Sequence, residues 1–348
     1  MKILMPNITG ISLNLINKDI TKHLMSKGHF VEAISIDFTK TEEDTVTHKY
    51  DVLLQHYVAE NFKYNANKKI LIQPVDGSKI NPDHVKNINT YDLILTPANS
   101  CKKILIESGV PEERIEVVPN YYSDITKDNE YFKNNFKTKK YTFYTETTGI
   151  ERKNVKNIIK YFAKNFSTED NLRLIVKTNA SPKVFEEIKC SLMDFEIYTN
   201  PLKLSIPEIV FINNFLTDDD LNSIMMNIDC YICLSYMEGF CIPLLNAAYL
   251  KKDIITLDSE LSGYMDFLDK DNAILLPVSR IKIKQDSGSI LIYSKDCEWE
   301  EPNYNDYMMA LTKCYKGEYE FNKYHDFDNF SKEMVMNQYE KFITNNGN

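Results

Sequence analysis

CYICLSYMEGFCIPLLNAAYL, residues 230–250, is the stretch around which the chain is organised. Its first part, Cys230 to Leu234, is a short mixed apolar run and predicts a buried strand. A turn at Glu238-Gly239 follows, and then a helix with Pro243 at its first position, where a missing N–H costs nothing. A strand that ends in a glycine turn and feeds a helix leaves backbone N–H groups pointing outward. The helix dipole adds partial positive charge there, which suits a phosphate. Glu238 stands just before those donors, placed to accept a hydrogen bond from a sugar hydroxyl of the same ligand.

The whole chain sets bounds on this reading. Its 348 residues suggest about two domains. Hydrophobic residues make up 43% and charged residues 26%, enough apolar material for two cores. The net charge of −9 excludes a general nucleic-acid-binding surface and a whole-protein electrostatic membrane anchor. No apolar run approaches the ~20 residues of a transmembrane helix. The opening MKILMPNITG has one lysine and a very short apolar stretch, so it reads as a buried strand rather than a signal peptide. Seven cysteines lie scattered in apolar segments. Cys230 and Cys233 form a Cys-x-x-Cys, but no second pair or histidine cluster is spaced to complete a metal site. Buried free thiols in a reducing cytoplasm are the expectation.

Residues 1–124 alternate strands and helices, which predicts a parallel sheet with helices on both faces. Strands are expected at Lys2–Met5, Phe30–Ile36, Asp51–Leu54, Lys69–Ile72, Leu93–Leu95 and Ile115–Val118, and a turn at Asn7–Gly10. A helix from Leu13 to Met25 is stopped by Gly28, and one capped by Ser100 is ended by Gly109. No Gly-x-Gly-x-x-Gly follows the first strand, which disfavours a dinucleotide-dependent dehydrogenase. His56 lies just past the strand Asp51–Leu54. Ligands of such sheets bind beyond the carboxyl ends of the strands, so His56 is a substrate candidate; the alternative is a surface histidine bonded to its neighbours.

Residues 125–140 are polar and poor in aliphatic side chains, and read as a linker. Strand character resumes at Tyr141–Tyr144. Arg152 and Lys153 then fall at a loop-to-helix junction, before an amphipathic helix from Asn154 to about Lys164. Two cations beside a helix N-terminus attract a diphosphate; the alternative is two solvated charges. A strand at Leu172–Thr178, a helix at Pro182–Cys190 and a strand at Val210–Asn213 follow. The acids Asp218–Asp220 behind Thr217 read as a helix cap, not a metal site. Strands at Ile254–Leu257 and Ile274–Pro277, a small-residue loop at Ser262-Gly263, an irregular segment at 279–298 with a hairpin about Asp286–Ser289, and helices at Asn305–Tyr315 and Asn329–Thr344 complete the chain.

Several ordered motifs carry a family resemblance. They are Glu238-Gly239-Phe240-x-x-Pro243, Glu151-Arg152-Lys153-Asn154 before an amphipathic helix, and LTPANSCKKILIESGVPEERIEVVPNYY at residues 95–122. Together they resemble the retaining glycosyltransferases of family 4, the glycosyl transferases group 1. The resemblance implies the GT-B architecture, an α/β fold of two Rossmann-like domains facing across a cleft. It places an acceptor-side domain at 1–124, a linker at 125–140, a donor domain at 141–328, and a C-terminal helix at 329–348 packing back on the first domain.

The resemblance also implies roles. Lys153 and Arg152 would bind the diphosphate, with backbone groups of Gly239, Phe240, Cys241 and Ile242. Asn214, Phe215 and Leu216 would line the nucleobase, Gly10 the donor phosphates, and His56 the sugar. Glu238 matches the first of two family glutamates eight positions apart, and the second falls on Asn246. The implied reaction uses no cofactor and no metal. A UDP- or GDP-linked sugar is the donor, and a glycan, a lipid-linked molecule or a protein is the acceptor. Asn246 for glutamate, Cys241 for glycine and a single glycine in the first loop depart from the pattern. These departures keep a rival open: a catalytically silent GT-B protein that binds nucleotide sugars or serves as a partner subunit.

Overall fold

Parallel strands buried on both faces account for the continuous apolar runs in the sequence. A computed structural model describes residues 1–7, 11–35, 46–57, 64–198, 205–283, 292–319 and 326–345. In chain order the first elements are β1 (Lys2–Asn7), α1 (Ile11–Ser26), β2 (Phe30–Ser35), β3 (Val46–His56), β4 (Tyr64–Ile72), α2 (Pro82–Ile88), β5 (Leu93–Thr96), α3 (Asn99–Glu107) and β6 (Ile115–Val117). Next come α4 (Tyr131–Asn135), β7 (Tyr141–Thr147), α5 (Val155–Asn165), β8 (Leu172–Thr178), α6 (Pro182–Tyr198), β9 (Glu208–Ile212), α7 (Asp218–Asn227) and β10 (Cys230–Ile232). The last are α8 (Ile242–Tyr249), β11 (Asp253–Leu257), β12 (Ile274–Leu276), β13 (Val278–Lys282), β14 (Glu298–Pro302), α9 (Tyr304–Tyr315) and α10 (Lys332–Thr344).

The chain divides into two compact units, one of residues 1–121, 289–297 and 328–348, the other of 122–288 and 298–327. The first holds a parallel sheet in the order β2-β1-β3-β4-β5-β6. The chain runs from β1 outward to β2, then returns past β1 to lay down β3. That reversal makes a topological switch point between β1 and β3, where a crevice opens at the strands' carboxyl ends. Helix α10 belongs to this unit: Glu340 pairs with His23 of α1 at 2.9 Å and Lys332 with Asp19 at 2.6 Å.

The second unit repeats the plan as β12-β11-β10-β7-β8-β9, all parallel. Its switch point lies between β7 and β10. Phe143, Leu174, Ile232 and Leu257 from the sheet pack with Ile158 and Phe162 of α5 and Leu311 of α9 in one core. Strand β8 is buried along its whole length. Both units are Rossmann-like, as the alternation of elements predicts.

Several local expectations are corrected. Ser100 does not cap α3: the N-cap is Ala98, and the Ser100 hydroxyl is buried with no hydrogen-bond partner. Helix α6 continues to Tyr198. The stretch 125–140, expected as a polar linker, contains α4 and is fastened to α7. Asp128 accepts from Ser223 at 2.6 Å and from Asn227 at 3.0 Å, and the Phe132 amide donates to Ser223 Oγ at 3.0 Å. Asn129 adds a bond to Asp220 of the same helix at 2.8 Å. The segment 279–298, expected as irregular, begins in β13, which pairs antiparallel with β14 and sets Ile281 against Trp299. The hairpin expected at Asp286–Ser289 falls outside the described residues. The Thr217 cap is present as a reciprocal capping box with Asp220, so those acids serve the helix.

Candidate functional site

Two loops leave the second sheet at its switch point, and they carry the charged residues of the candidate site. The loop after β7 passes Gly149 and enters a 3-10 turn at Glu151–Lys153. Gly149 has φ +80°, and an added Cβ would lie 2.9 Å from Val184 and 3.1 Å from Ala180 and Ile188. Only glycine satisfies both the left-handed backbone and the close pass against α6. Gly149→Ala is therefore expected to cost about 1–3 kcal/mol. A urea-unfolding midpoint unchanged from the parent would refute this account of the loop.

Asn154 ends the 3-10 turn, buried and in the left-handed region at φ 55°. Its side-chain Nδ2 donates to the Leu234 carbonyl at 3.1 Å, tying this loop to the one after β10. The Tyr236 amide donates to the Arg152 carbonyl at 2.8 Å, a second tie. Arg152 also donates to the Met237 carbonyl. These bonds bring two loops 85 residues apart in sequence into one cluster.

Glu238 is the centre of that cluster. Lys153 Nζ lies 2.6 Å from one carboxylate oxygen and Arg152 Nη1 3.2 Å from the other. The side chains are 7% (Glu238), 20% (Lys153) and 12% (Arg152) exposed. Burial opposes charge on Glu238, yet Lys153 and then Arg152 outweigh it and hold the carboxyl at about 2. Burial likewise opposes charge on Lys153, and Glu238 overcomes it, so the ammonium is held more firmly than usual. Two cations against one anion leave the cluster with an excess positive charge. Lys153 is mostly covered because the carboxylate it pairs with is buried, so the alternative of two solvated charges does not hold.

Around Glu238 the backbone is fixed. Its amide donates to Ser262 Oγ at 3.1 Å, and its carbonyl accepts from the Gly263 amide at 2.8 Å. Ser259 Oγ in turn accepts from the Ser262 amide at 3.0 Å and donates to buried Glu300, whose other oxygen meets Arg280 at 3.3 Å. Trp299 stacks on Tyr236 with ring centroids 5.7 Å apart, beside Glu300. The expected small-residue loop at Ser262-Gly263 thus braces Glu238, and Glu300 is a brace that the sequence did not single out. Ser259 and Ser262, hydroxyls three residues apart before a 3-10 turn, were the available signal.

Helix α8 begins at Ile242, so Pro243 occupies its second position rather than its first. Cys241 caps it at φ +71°, where glycine would be unstrained. Phe240 is buried against Phe267, centroids 5.3 Å apart, which anchors the loop between Gly239 and the helix. Asn246, one helical turn on, has its amide used twice by Ser123: the Ser123 N–H donates to Oδ1 at 2.8 Å, and Nδ2 donates to Ser123 Oγ at 3.0 Å. Beyond β9, Asn214 is exposed, Phe215 is 80% exposed and Leu216 is buried.

In the first unit, His56 is the last residue of β3 and only 3% exposed, not a residue beyond the strand or on the surface. Its Nδ1 hydrogen-bonds Asn17 Oδ1 of α1, so the pair spans the switch point between β1 and β3. Burial alone lowers the imidazole to about 3 and keeps it neutral. Asn17 was not singled out from sequence; it lies seventeen residues into the chain, on the helix that follows β1. Gly10 lies outside the described residues. Among the described residues no helix is long and apolar enough to cross a membrane.

This arrangement, two Rossmann-like units each with a switch point at the carboxyl ends of its strands, is the GT-B glycosyltransferase fold. Residues 126–282 match the family model described as "Glycosyl transferases group 1". No curated protein matches the chain significantly. Among solved structures, a glycosyltransferase from Rickettsia africae ESF-5 is similar at 12% identity and a TM-score of 0.66, with 99% of each chain covered. HepE of Anabaena, solved with UDP and glucose, is similar at 12% identity and a TM-score of 0.64, again with 99% of each covered. The pneumococcal O-GlcNAc transferase GtfA, solved with UDP and GlcNAc, is similar at 12% identity and a TM-score of 0.56. There the match takes in 84% of this chain but only 56% of GtfA.

Proposed function

We propose that this protein is a retaining glycosyltransferase of family 4 that moves a sugar from a nucleotide-diphosphate sugar to an acceptor hydroxyl. The observation that carries the reading is the Arg152–Glu238–Lys153 cluster at the switch point of the second sheet, within the matched segment. Lys153 and Arg152 stabilise the charge that grows on the diphosphate as its bond to the sugar breaks. The first-turn N–H groups of α8 add to that stabilisation. With cations supplying the charge, the reaction is assigned no metal and no cofactor. Glu238, held ionised by two cations, is a poor base and a poor nucleophile. Its role is to accept hydrogen bonds from the transferred sugar. The loop Asn214–Leu216 is assigned to the nucleobase, and His56, a neutral imidazole, to the sugar. Both Asn246 amide groups are engaged by Ser123, so any contact to ribose uses their remaining lone pair and hydrogen.

UDP in two of the similar structures supports UDP as the base carrier, with GDP the alternative. The acceptor is a hydroxyl of a glycan, a lipid-linked molecule or a protein. Seven free cysteines support a reducing, cytoplasmic setting.

Thermal unfolding with UDP, GDP, ADP and their sugar conjugates tests the proposal. A ligand at 100-fold its Kd adds about 2.7 kcal/mol of stability. A shift with one nucleotide and hydrolysis of its sugar conjugate are the expected results; no shift with any of them overturns the proposal. Lys153→Ala is expected to weaken nucleotide-diphosphate binding by roughly 10- to 100-fold, the ~1.5–3 kcal/mol of a charge-assisted hydrogen bond. It also lowers stability, because Glu238 loses one of two partners. Lys153→Arg keeps a cation there and is expected to restore stability first. Unchanged affinity in Lys153→Ala removes Lys153 from the site.

One observation favours a second reading, the silent nucleotide-sugar binding protein or partner subunit. Both oxygens of Glu238 are occupied by Arg152 and Lys153 in a buried ion pair. A protein of that kind shows the nucleotide shift with neither hydrolysis nor transfer.

A further inference from the structure

Cys241 occupies a backbone position that favours glycine. At φ +71° a side chain costs roughly 1–2 kcal/mol, so a cysteine there calls for a compensating use of its sulfur. Its Sγ lies 3.9 Å from Sγ of Cys233. The two sulfurs and a Glu238 carboxylate oxygen all fall within 4.8 Å of one another. Cys233 and Glu238 are buried, whereas Cys241 is partly exposed. Zinc–sulfur bonds are about 2.3 Å, and two of them at a tetrahedral angle set the sulfurs about 3.8 Å apart. The observed 3.9 Å needs almost no rearrangement. The Cys-x-x-Cys visible in sequence is not the pair that meets. Cys233 turns to Cys241, and Cys314 lies at Tyr141 and Asp253 on β7 and β11, where Cys230 neighbours it.

We propose that Cys233, Cys241 and Glu238 form a binding site for a soft divalent cation, Zn(II) by chemistry, and that occupation blocks the sugar-holding role of Glu238. Three protein ligands leave a fourth position for water, as in open zinc sites. On binding, each thiol releases its proton to solvent, Zn²⁺ + 2 Cys–SH giving Zn(S–Cys)₂ + 2 H⁺. Two thiolates and the carboxylate contribute −3 against +2 from the metal and +2 from Arg152 and Lys153, so the occupied site carries +1, the same net charge as the empty cluster with neutral thiols. A carboxylate has about four acceptor positions. Lys153, Arg152 and Ser235 already engage Glu238, so a metal takes the position that would receive a sugar hydroxyl. The blocking half of the proposal rests on the function assigned above; the binding half does not.

The test uses the full chain, reduced with a phosphine. Zn(II) is titrated in competition with a chromophoric chelator, and Co(II) is added in parallel as a spectroscopic probe. The expected result is one tightly bound Zn(II), about two protons released, and an intense thiolate-to-Co(II) band. Cys241→Gly removes a ligand while relieving the backbone, so the variant folds at least as well as the parent. It is expected to lose at least 100-fold in zinc affinity and to lose the Co(II) band. Equal zinc binding in Cys241→Gly overturns the site, as does zinc that disappears only with Cys190→Ser at the exposed cysteine. A disulfide between Cys233 and Cys241 that persists under the phosphine also overturns it. Zinc bound at this site without loss of donor hydrolysis overturns the blocking half. If donor hydrolysis is absent altogether, the function reading fails while the zinc titration still stands.

Discussion

Glu238→Gln is expected to lower turnover by roughly 100-fold, about 2.7 kcal/mol at 1.36 kcal/mol per decade. Affinity for the nucleotide diphosphate holds or rises. The glutamine keeps the size of the side chain and one acceptor oxygen but removes the charge. A hydrogen bond from a sugar hydroxyl to an ion is worth more than one to an amide, so the loss falls on the step where the sugar bears charge. Removing the anion leaves Arg152 and Lys153 unopposed, which draws them to phosphate. The same change destabilises the second unit. Breaking one side of a buried ion pair costs about 3–5 kcal/mol, and the partial exposure of both cations puts the expected cost at the low end. Steady-state kinetics, nucleotide titration and urea unfolding on one preparation separate these effects. Normal turnover in the variant takes Glu238 out of the reaction. Lost stability in a protein that never turned over is the signature of the silent reading.

A loss of stability of the first unit in mild acid is the second large expected effect. His56 is neutral in the fold, with its imidazole held at about 3 by burial, against about 6.5 in an unfolded chain. Between those values the unfolded chain binds the proton and the folded chain does not, so stability falls as the pH falls. The contribution is fully present above pH 6.5 and drains away as pH drops toward 3. At about 1.4 kcal/mol per pH unit, the loss between pH 6.5 and 5 is about 2 kcal/mol. His56→Gln keeps a polar partner for Asn17 and has no proton to gain. Urea unfolding of parent and variant at both pH values gives the difference directly. Equal pH dependence in the two proteins means that His56 protonates inside the fold, and its assignment as a neutral group fails.

Much of the architecture was legible because it rests on local rules. Gly28 at φ +85° and Gly109 at φ +104° end α1 and α3 where the sequence punctuates them. Thr217 and Asp220 build the cap that their spacing announces. The apolar runs at Leu172–Thr178 and Ile254–Leu257 became strands because parallel sheets bury both faces. Polar segments were harder. Residues 125–140 read as a linker because their composition is polar, yet Asp128 and Phe132 are bound to Ser223 and Asn227, far along the chain. Ser100 looked like a cap, and the helix began one residue before it.

The sequence by itself determined the alternation of strands and helices, and with it two parallel sheets. It also marked Glu238, Arg152 and Lys153 as charged residues in loops at strand ends. Periodicity and turn chemistry are local, so a linear reading reaches them. The tertiary structure decided what those charges do to one another. Strand order put β7 beside β10, which carried Lys153 to 2.6 Å from Glu238 across 85 residues of chain. It also closed Asn246 onto Ser123 and buried His56 against Asn17. It turned Cys233 toward Cys241 rather than Cys230. Ion pairing, burial and ligand geometry depend on distances between residues remote in sequence, and only the folded sheet order sets those distances.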